Sequence, residues 1–94
     1  MSLTALIRER LAPLDPRSIE IHDESEAHAG HAGARESGGG HFRLVVVSTA
    51  FAGKSPVARH RMVYRTLADL IPQRIHALAI RAYTPEEIAT MAGD

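Results

Sequence analysis

The 94-residue chain has the size of one small domain, and 45% of its residues are apolar, which excludes a disordered protein. Cysteine is absent, which excludes a disulfide framework, a thiolate nucleophile and a cysteine-only metal site. Eleven basic and eleven acidic residues balance, so no global field favours nucleic acid, although ten of the cations are arginine. Six histidines are the compositional anomaly, because histidine binds transition metals and changes charge near neutral pH.

The first predicted element is an amphipathic helix that has Ser2 or Thr4 as its N-cap and ends near Pro13. Its apolar residues follow the i, i+3, i+4, i+8 spacing of one helical face: Leu3, Leu6, Ile7 and Leu11. This N-terminus lacks the charged start and long apolar run of a secretory signal, and nowhere do eighteen apolar residues run together. We therefore expect a cytoplasmic chain with no membrane partner.

The next segment alternates like a half-buried strand over residues 18–23. Ile19 and Ile21 share one face, so His22 is predicted to point away from it. From residue 24 to residue 40 no apolar side chain is larger than alanine, and glycine occurs five times. We predict a long flexible loop over 24–40, and loops of this length are usually functional or disordered. It carries His28 and His31.

A central strand is predicted at residues 41–48, which are apolar on both parities after Arg43. Gly53 then predicts a turn, Ser55 an N-cap and Pro56 the first position of a long helix that Pro72 closes. One arc of this helix carries the apolar residues and includes a histidine that we expect to be structural and packed in the helix face: Val57, His60, Val63, Tyr64, Leu67, Leu70 and Ile71.

The chain closes with a strand over residues 74–83, in which His76, Leu78 and Ile80 share an apolar face. A capping box from Thr84 then begins a short helix anchored by Ile88 and Met91. The order is α-β-β-α-β-α. It predicts a single α+β domain over 1–94, with a three-stranded mixed sheet and helices packed on one face.

Three histidines are candidate ligands. His28 and His31 lie three residues apart beside a glycine, so the loop could bring both to one metal ion, or both could be solvated. His76 begins a strand on its apolar side, where it is either a ligand or a satisfied core residue. His22 and His41 receive no role. Zinc sites usually need three or four protein ligands, so these residues alone make an incomplete site.

Catalytic motifs are absent from the sequence. Gly53-Lys54-Ser55 ends like a phosphate loop, but position 48 holds serine where that motif needs glycine. No Gly-x-Ser-x-Gly elbow, no His-Glu-x-x-His helix and no nucleophile-base-orienter set can be assembled. We therefore predict that the chain is not an enzyme.

A series of short motifs closely resembles the BolA family over nearly the whole chain. The motifs, in order, are Asp23-Glu24-Ser25, His28, His41-Phe42, Val47-Ser48, Phe51-x-Gly53-Lys54-Ser55, Arg59-His60-Arg61-Met62-Val63-Tyr64 and His76-Ala77-Leu78. The resemblance implies a class II KH-like fold, which agrees with the order of elements above.

The resemblance also implies a monothiol glutaredoxin as partner. In such heterodimers a [2Fe-2S] cluster is held by a glutaredoxin cysteine, a glutathione thiolate and ligands from the BolA-like chain. Here it implies His76 as the C-terminal ligand and His28 as the loop ligand, with His31 as an extra candidate. Such an adaptor would act in iron-sulfur cluster trafficking or iron and redox regulation. No cluster is expected in the isolated chain, which we expect to be a monomer or a weak homodimer.

An alternative function, also implied by the resemblance, is that of a DNA-binding transcriptional regulator acting through the KH-like surface. The chain lacks the Gly-x-x-Gly clamp of an ordinary KH domain. Its candidate phosphate contacts are therefore cations at and before the long helix: Lys54, Arg59, Arg61 and Arg65.

Overall fold

A computed structural model describes residues 2–24 and 40–92 of the chain. Within these ranges it contains three α-helices and three strands in the predicted α-β-β-α-β-α order, which confirms the α+β fold. The elements are α1 (Leu3–Leu11), β1 (Ser18–Asp23), β2 (Gly40–Val47), α2 (Pro56–Leu67), β3 (Ile75–Tyr83) and α3 (Pro85–Ala92). The predicted loop over 24–40 lies outside the described residues apart from its two ends, and so do His28 and His31.

Local capping residues determine where the helices begin. The hydroxyl of Ser2 accepts a hydrogen bond from the Ala5 amide at the start of α1, over 3.1 Å. The hydroxyl of Ser55 does the same for the Ala58 amide, over 3.1 Å, and Pro56 follows at the first helical position. Ser2 is therefore the cap of α1, and the predicted start of α2 is confirmed.

The sheet has the order β1-β2-β3, so β2 is the central strand as predicted. β1 pairs antiparallel with β2, and β3 pairs parallel with β2. The β2–β3 register shifts at its beginning, because Gly40 lies opposite Ile75 whereas His41 lies opposite Ala77. His76 is the extra residue at this irregularity.

That shift corrects the predicted position of His76. Strict alternation places His76 with Leu78 and Ile80 on the apolar face, but Ile75 is the residue that is fully buried there and His76 is exposed. A one-residue irregularity reverses the inward and outward parity of a strand on its two sides. His76 is thus available to a ligand or partner.

The core lies between the sheet and the first two helices. Phe51, at the end of a single 3₁₀ turn after β2, is its largest fully buried side chain. The remaining members come from α1, β2, α2 and the start of β3: Ile7, Leu11, Phe42, Leu44, Val46, Val63, Leu67, Leu70 and Ile75. Burial of aliphatic side chains drives folding in a domain with so few aromatic residues.

The buried face of α2 differs from the predicted apolar arc. Val63 and Leu67 are buried, but Val57 is 60% exposed and His60 is exposed, so the expectation of a packed, structural His60 is wrong. The side chain of Arg59 is only 13% exposed and occupies the arc's other border. The buried face of α2 is therefore rotated towards Arg59 relative to the predicted apolar arc. Likewise Met91, expected to anchor the last helix, is 57% exposed.

The long helix also ends earlier than expected. Regular helix stops at Leu67, and a 3₁₀ turn over Ala68–Leu70 completes the segment. Among the described residues, no helix combines the length and the apolarity needed to cross a bilayer.

Candidate functional site

Two histidines meet at one end of the sheet. His41 is the second residue of β2 and His76 the second residue of β3, and the strands are parallel neighbours. Their ring centroids lie 5.3 Å apart with the ring planes tilted by 44°. Two imidazoles bound to one ion, each with a nitrogen about 2 Å from it, have centroids at most about 6 Å apart. The pair is thus compatible with shared ligation, or with one ligand and one neighbour that orients it.

Both ends of segment 25–39 are anchored beside this pair. The Glu24 amide donates to the carbonyl of His41 over 2.7 Å, and the Glu24 carboxylate forms an ion pair with Arg43. On the other side, the Gly40 amide donates to the carbonyl of Arg74 over 3.2 Å. The described chain therefore stops at Glu24, one strand spacing from His41, and resumes at Gly40, which directly precedes His41 and is hydrogen-bonded to the residue two before His76.

The described residues do not complete a metal site by themselves. Within residues 2–24 and 40–92, no group of three or more His, Cys, Asp or Glu side chains is arranged to hold a metal ion. Further ligands have to come from segment 25–39 or from another molecule.

His41 was not identified from the sequence. The available signal was its position as the first residue of the predicted central strand, since the starts of parallel neighbouring strands meet at one sheet edge. The register shift that brings the two rings together has no such local signal.

The four candidate phosphate contacts occupy different environments. Lys54, Arg61 and Arg65 are exposed, and their side chains form no hydrogen bond or ion pair among the described residues. His60 stacks on Tyr64 beside them, with ring centroids 5.9 Å apart. This exposed cationic face of α2 is built from Lys54, His60, Arg61, Tyr64 and Arg65.

Arg59 is engaged within the fold instead. Its guanidinium donates to both carboxylate oxygens of Glu87, over 2.7 and 3.0 Å, to the carbonyl of Ala82 over 3.1 Å and to that of Lys54 over 3.0 Å. Four of the five N–H donors of this largely buried guanidinium are used within the fold, so Arg59 is poorly placed to contact a phosphate. This Arg59–Glu87 pair links α2, β3 and α3.

Glu87 is held by Thr84 as well as by Arg59, because it is also the acidic residue of the predicted capping box. The Thr84 amide donates to its carboxylate over 2.8 Å, and the Glu87 amide donates to the Thr84 hydroxyl over 3.2 Å. The hydrogen bonds from Arg59 and then from the Thr84 amide lower the pKa of Glu87 to about 2. The box was predicted from the sequence, whereas the partnership with Arg59 was not.

The comparisons with known proteins agree with this architecture. A family model described as BolA-like protein matches residues 11–87. The chain belongs to the BolA-like family. It is 49% identical over 87 residues to SufE-like protein 1, chloroplastic/mitochondrial, of Arabidopsis thaliana, covering 87% of this chain but 24% of that protein. It is also 40% identical over 87 residues to the DNA-binding transcriptional regulator BolA of Escherichia coli (strain K12), covering 87% and 79% of the two chains.

A solved structure shows the same BolA-like fold. The BolA domain of SufE1 from Arabidopsis thaliana superposes with a TM-score of 0.75 at 44% identity, covering 93% of this chain and 98% of that domain. The chain therefore spans about a quarter of the first of these relatives and corresponds to its BolA domain.

Proposed function

We propose that this BolA-like chain is an adaptor that binds a monothiol glutaredoxin and contributes histidine ligands to a bridging [2Fe-2S] cluster. His76 is the proposed C-terminal ligand. The loop ligand is His28, with His31 as the alternative. The cluster's other ligands are the glutaredoxin cysteine and a glutathione thiolate, and its chemistry is one-electron redox and iron-sulfur transfer.

The observation that carries this proposal is the His41–His76 pair at the sheet end where segment 25–39 begins and ends. His76 is exposed by the register shift, and among the described residues a second imidazole, that of His41, lies 5.3 Å away. His28 lies four residues beyond Glu24 in the sequence, and His31 lies seven residues beyond it. An extended chain spans about 3.5 Å per residue, so both spacings are long enough to reach this end of the sheet. The incompleteness of the site fits a cluster that is shared with a partner.

His41 has a supporting position in this proposal. A ligating imidazole is usually oriented by a neighbour, and loss of such a neighbour typically lowers metal affinity 10- to 100-fold. His41 either orients His76 or replaces the loop histidine as second ligand. Because a protonated imidazole cannot bind metal, the cluster is expected to be labile to acid.

The test is anaerobic reconstitution of the heterodimer from this chain, a monothiol glutaredoxin, glutathione, iron and sulfide, followed by visible absorption and circular dichroism. His76→Ala is expected to remove most of the cluster signal. His28→Ala and His31→Ala, compared side by side, identify the loop ligand, and His41→Ala distinguishes support from ligation. His60→Ala is the matched control, because it removes an exposed imidazole that lies in α2 and not at this end of the sheet. An unchanged spectrum in His76→Ala would refute the assignment.

A second function, nucleic-acid binding, is favoured by the exposed cationic face of α2. Three of its cations lack partners among the described residues, and an exposed Tyr64 lies between them. Unpaired cations on one surface suit contacts with phosphates. The similarity to the Escherichia coli regulator, whose name states DNA binding, supports this candidate.

Salt dependence tests this second function. Arg61→Ala and Arg65→Ala are each expected to weaken binding to a DNA duplex and to reduce the slope of log K against log salt by roughly 1. The matched control is Arg17→Ala, which removes an exposed arginine just before β1. Equal losses in all three variants would indicate only a general charge effect and would contradict a specific surface.

A further inference from the structure

Within the described part of the chain, no further strand covers the outer edge of β3, which therefore presents main-chain groups. The Ser48 amide donates to the carbonyl of Tyr83 over 2.9 Å, so this parity of β3 faces β2. Main-chain groups alternate along a strand, and Ala82, Ile80 and Leu78 therefore direct their N–H and C=O groups away from β2. The hydrogen bond from Arg59 to the carbonyl of Ala82, over 3.1 Å, confirms this direction.

Among the described residues of β3, Ala82 is the one whose outward carbonyl accepts a hydrogen bond. In the described part of the chain, β3 has no strand neighbour beyond β2, and the outward groups of Leu78 and Ile80 have no hydrogen-bond partner. Natural edge strands are usually shortened, interrupted by proline or covered. β3 is the longest strand of the sheet, with nine residues, and it contains no proline.

A groove runs along this edge between α2 and α3. Its volume is about 840 Å³, and Ile80–Tyr83 form part of its lining. Exposed apolar side chains flank it, with Val57 on α2 at 60% and Met91 on α3 at 57% exposure. The Arg59–Glu87 pair bridges the two helices, and Arg59 also occupies the outward carbonyl of Ala82 at this end of the edge.

The side chain of Arg81 makes the two faces of the sheet differ in charge along this edge. Arg81 is exposed, has no ion-pair partner among the described residues, and lies on the open sheet face in line with Ala77 and Ala79. A strand added to β3 would place its alternate side chains beside Arg81 on this face and beside Ile80 on the helix side. An acidic residue suits the first position and an apolar residue the second.

We propose that the outer edge of β3 binds an extended, proline-free segment of a partner protein in which acidic and apolar residues alternate. The segment adds a fourth strand through the main-chain groups of Leu78 and Ile80, and its acidic side chains pair with Arg81. Such strand addition is a general mode of peptide recognition, in which the backbone supplies affinity and alternate side chains supply specificity. This proposal is independent of the cluster site and of the cationic face of α2.

The test uses the full chain and a fluorescein-labelled ten-residue peptide of alternating Val and Glu. Binding is measured by fluorescence anisotropy, and amide hydrogen exchange is followed by NMR. In the free protein, the amides of Leu78 and Ile80 are expected to exchange fast and those of Ala79 and Arg81 slowly. Peptide binding is expected to protect the first two and leave the others unchanged.

Two N-methylated peptides provide the decisive control, because they keep every side chain. One carries N-methyl groups on its valines and the other on its glutamates. Only one parity of a bound strand faces β3, so one of the two peptides is expected to bind at least about tenfold more weakly than the other. Arg81→Gln is expected to weaken binding roughly two- to fivefold, and the matched Arg17→Gln is expected to leave it unchanged.

Several results would overturn the proposal. Failure of the unmethylated peptide to bind would do so, as would equal binding by the two methylated peptides or protection of Leu78 and Ile80 that does not change when peptide is added. Protection that rises with protein concentration without peptide would identify a second copy of this chain as the occupant, and it too would overturn the proposed partner.

Discussion

The two ends of β3 differ in whether their polar side chains are engaged within the fold. At its beginning, His76 is exposed and meets another imidazole, His41, at 5.3 Å. At its end, Arg59 is nearly buried and bonded to four acceptors, among them the carbonyl of Ala82 and the carboxylate of Glu87. One end is left for an outside partner, and the other closes the fold.

This contrast shows that residue type alone does not assign a role here. Arg59 and Arg61 are two residues apart on one helix, yet the first holds α3 and the second is exposed without a partner. His60 and His76 are both exposed, but His60 stacks on Tyr64 of its own helix, whereas His76 lies beside His41 of the neighbouring strand. Neighbours contributed by distant segments decide between structure and function.

The largest expected effect concerns how firmly the His76 end is held. Ile75 is fully buried directly before His76, so Ile75→Ala is expected to destabilise the fold by about 2–5 kcal/mol through cavity formation. Chemical denaturation measures this change. Leu78→Ala, at a partly buried position of the same strand, is the control and is expected to cost less. Equal losses would mean that the histidine end is not anchored by Ile75.

The next prediction concerns the closing end. Arg59→Met keeps an apolar stem but removes the guanidinium that donates to Glu87 and to the Ala82 carbonyl. The thermal midpoint is therefore expected to fall by several degrees. Arg61→Met, an exposed position on the same helix, is expected to change it little. Thermal unfolding by circular dichroism compares the two. If both variants unfold alike, the Arg59–Glu87 pair does not hold α3.

The closing end of β3 should respond to acid over a defined pH range. Glu87 has its pKa lowered to about 2, so its stabilising contribution is complete above about pH 4.5 and is lost as the pH falls through 2. The difference in thermal midpoint between the native chain and Glu87→Gln is therefore expected to shrink from pH 5 to pH 2. A constant difference over this range would contradict the assignment.

The smallest expected effect is that of His60→Ala. Because His60 is exposed and its side chain stacks on Tyr64 but forms no hydrogen bond among the described residues, its loss is expected to leave both the thermal midpoint and the reconstituted cluster unchanged. A drop in stability comparable to that of Arg59→Met would restore the structural role predicted from the sequence.

Local signals account for the parts of the fold that were predicted correctly. Ser55 and Pro56 begin α2, Thr84 and Glu87 begin α3, and alternating Ile19 and Ile21 mark β1, because each signal acts over a few residues. The errors arose where distant residues meet. The expected burial of His60 followed from an apolar arc, whose true direction is determined by Arg59 and its partner 28 residues away.

The candidate site was predicted in part for the same reason. His76 was identified through its resemblance to a family motif, but its exposure depends on a shift between two strands that the sequence does not encode locally. His41 was missed because only that register brings it beside His76. His28 and His31 lie outside the described residues, so their assignment stays a prediction.

The most direct test of the central claim is electron-nuclear double resonance on the reduced heterodimer, prepared with ¹⁵N-histidine in this chain and natural-abundance glutaredoxin and glutathione. Couplings from directly bound ¹⁵N nuclei are expected in the native chain, and one of them is expected to be absent from the residual fraction of cluster that still assembles in His76→Ala. A reduced cluster that shows no strong ¹⁵N coupling, or the same couplings in His76→Ala, would contradict histidine ligation by this residue.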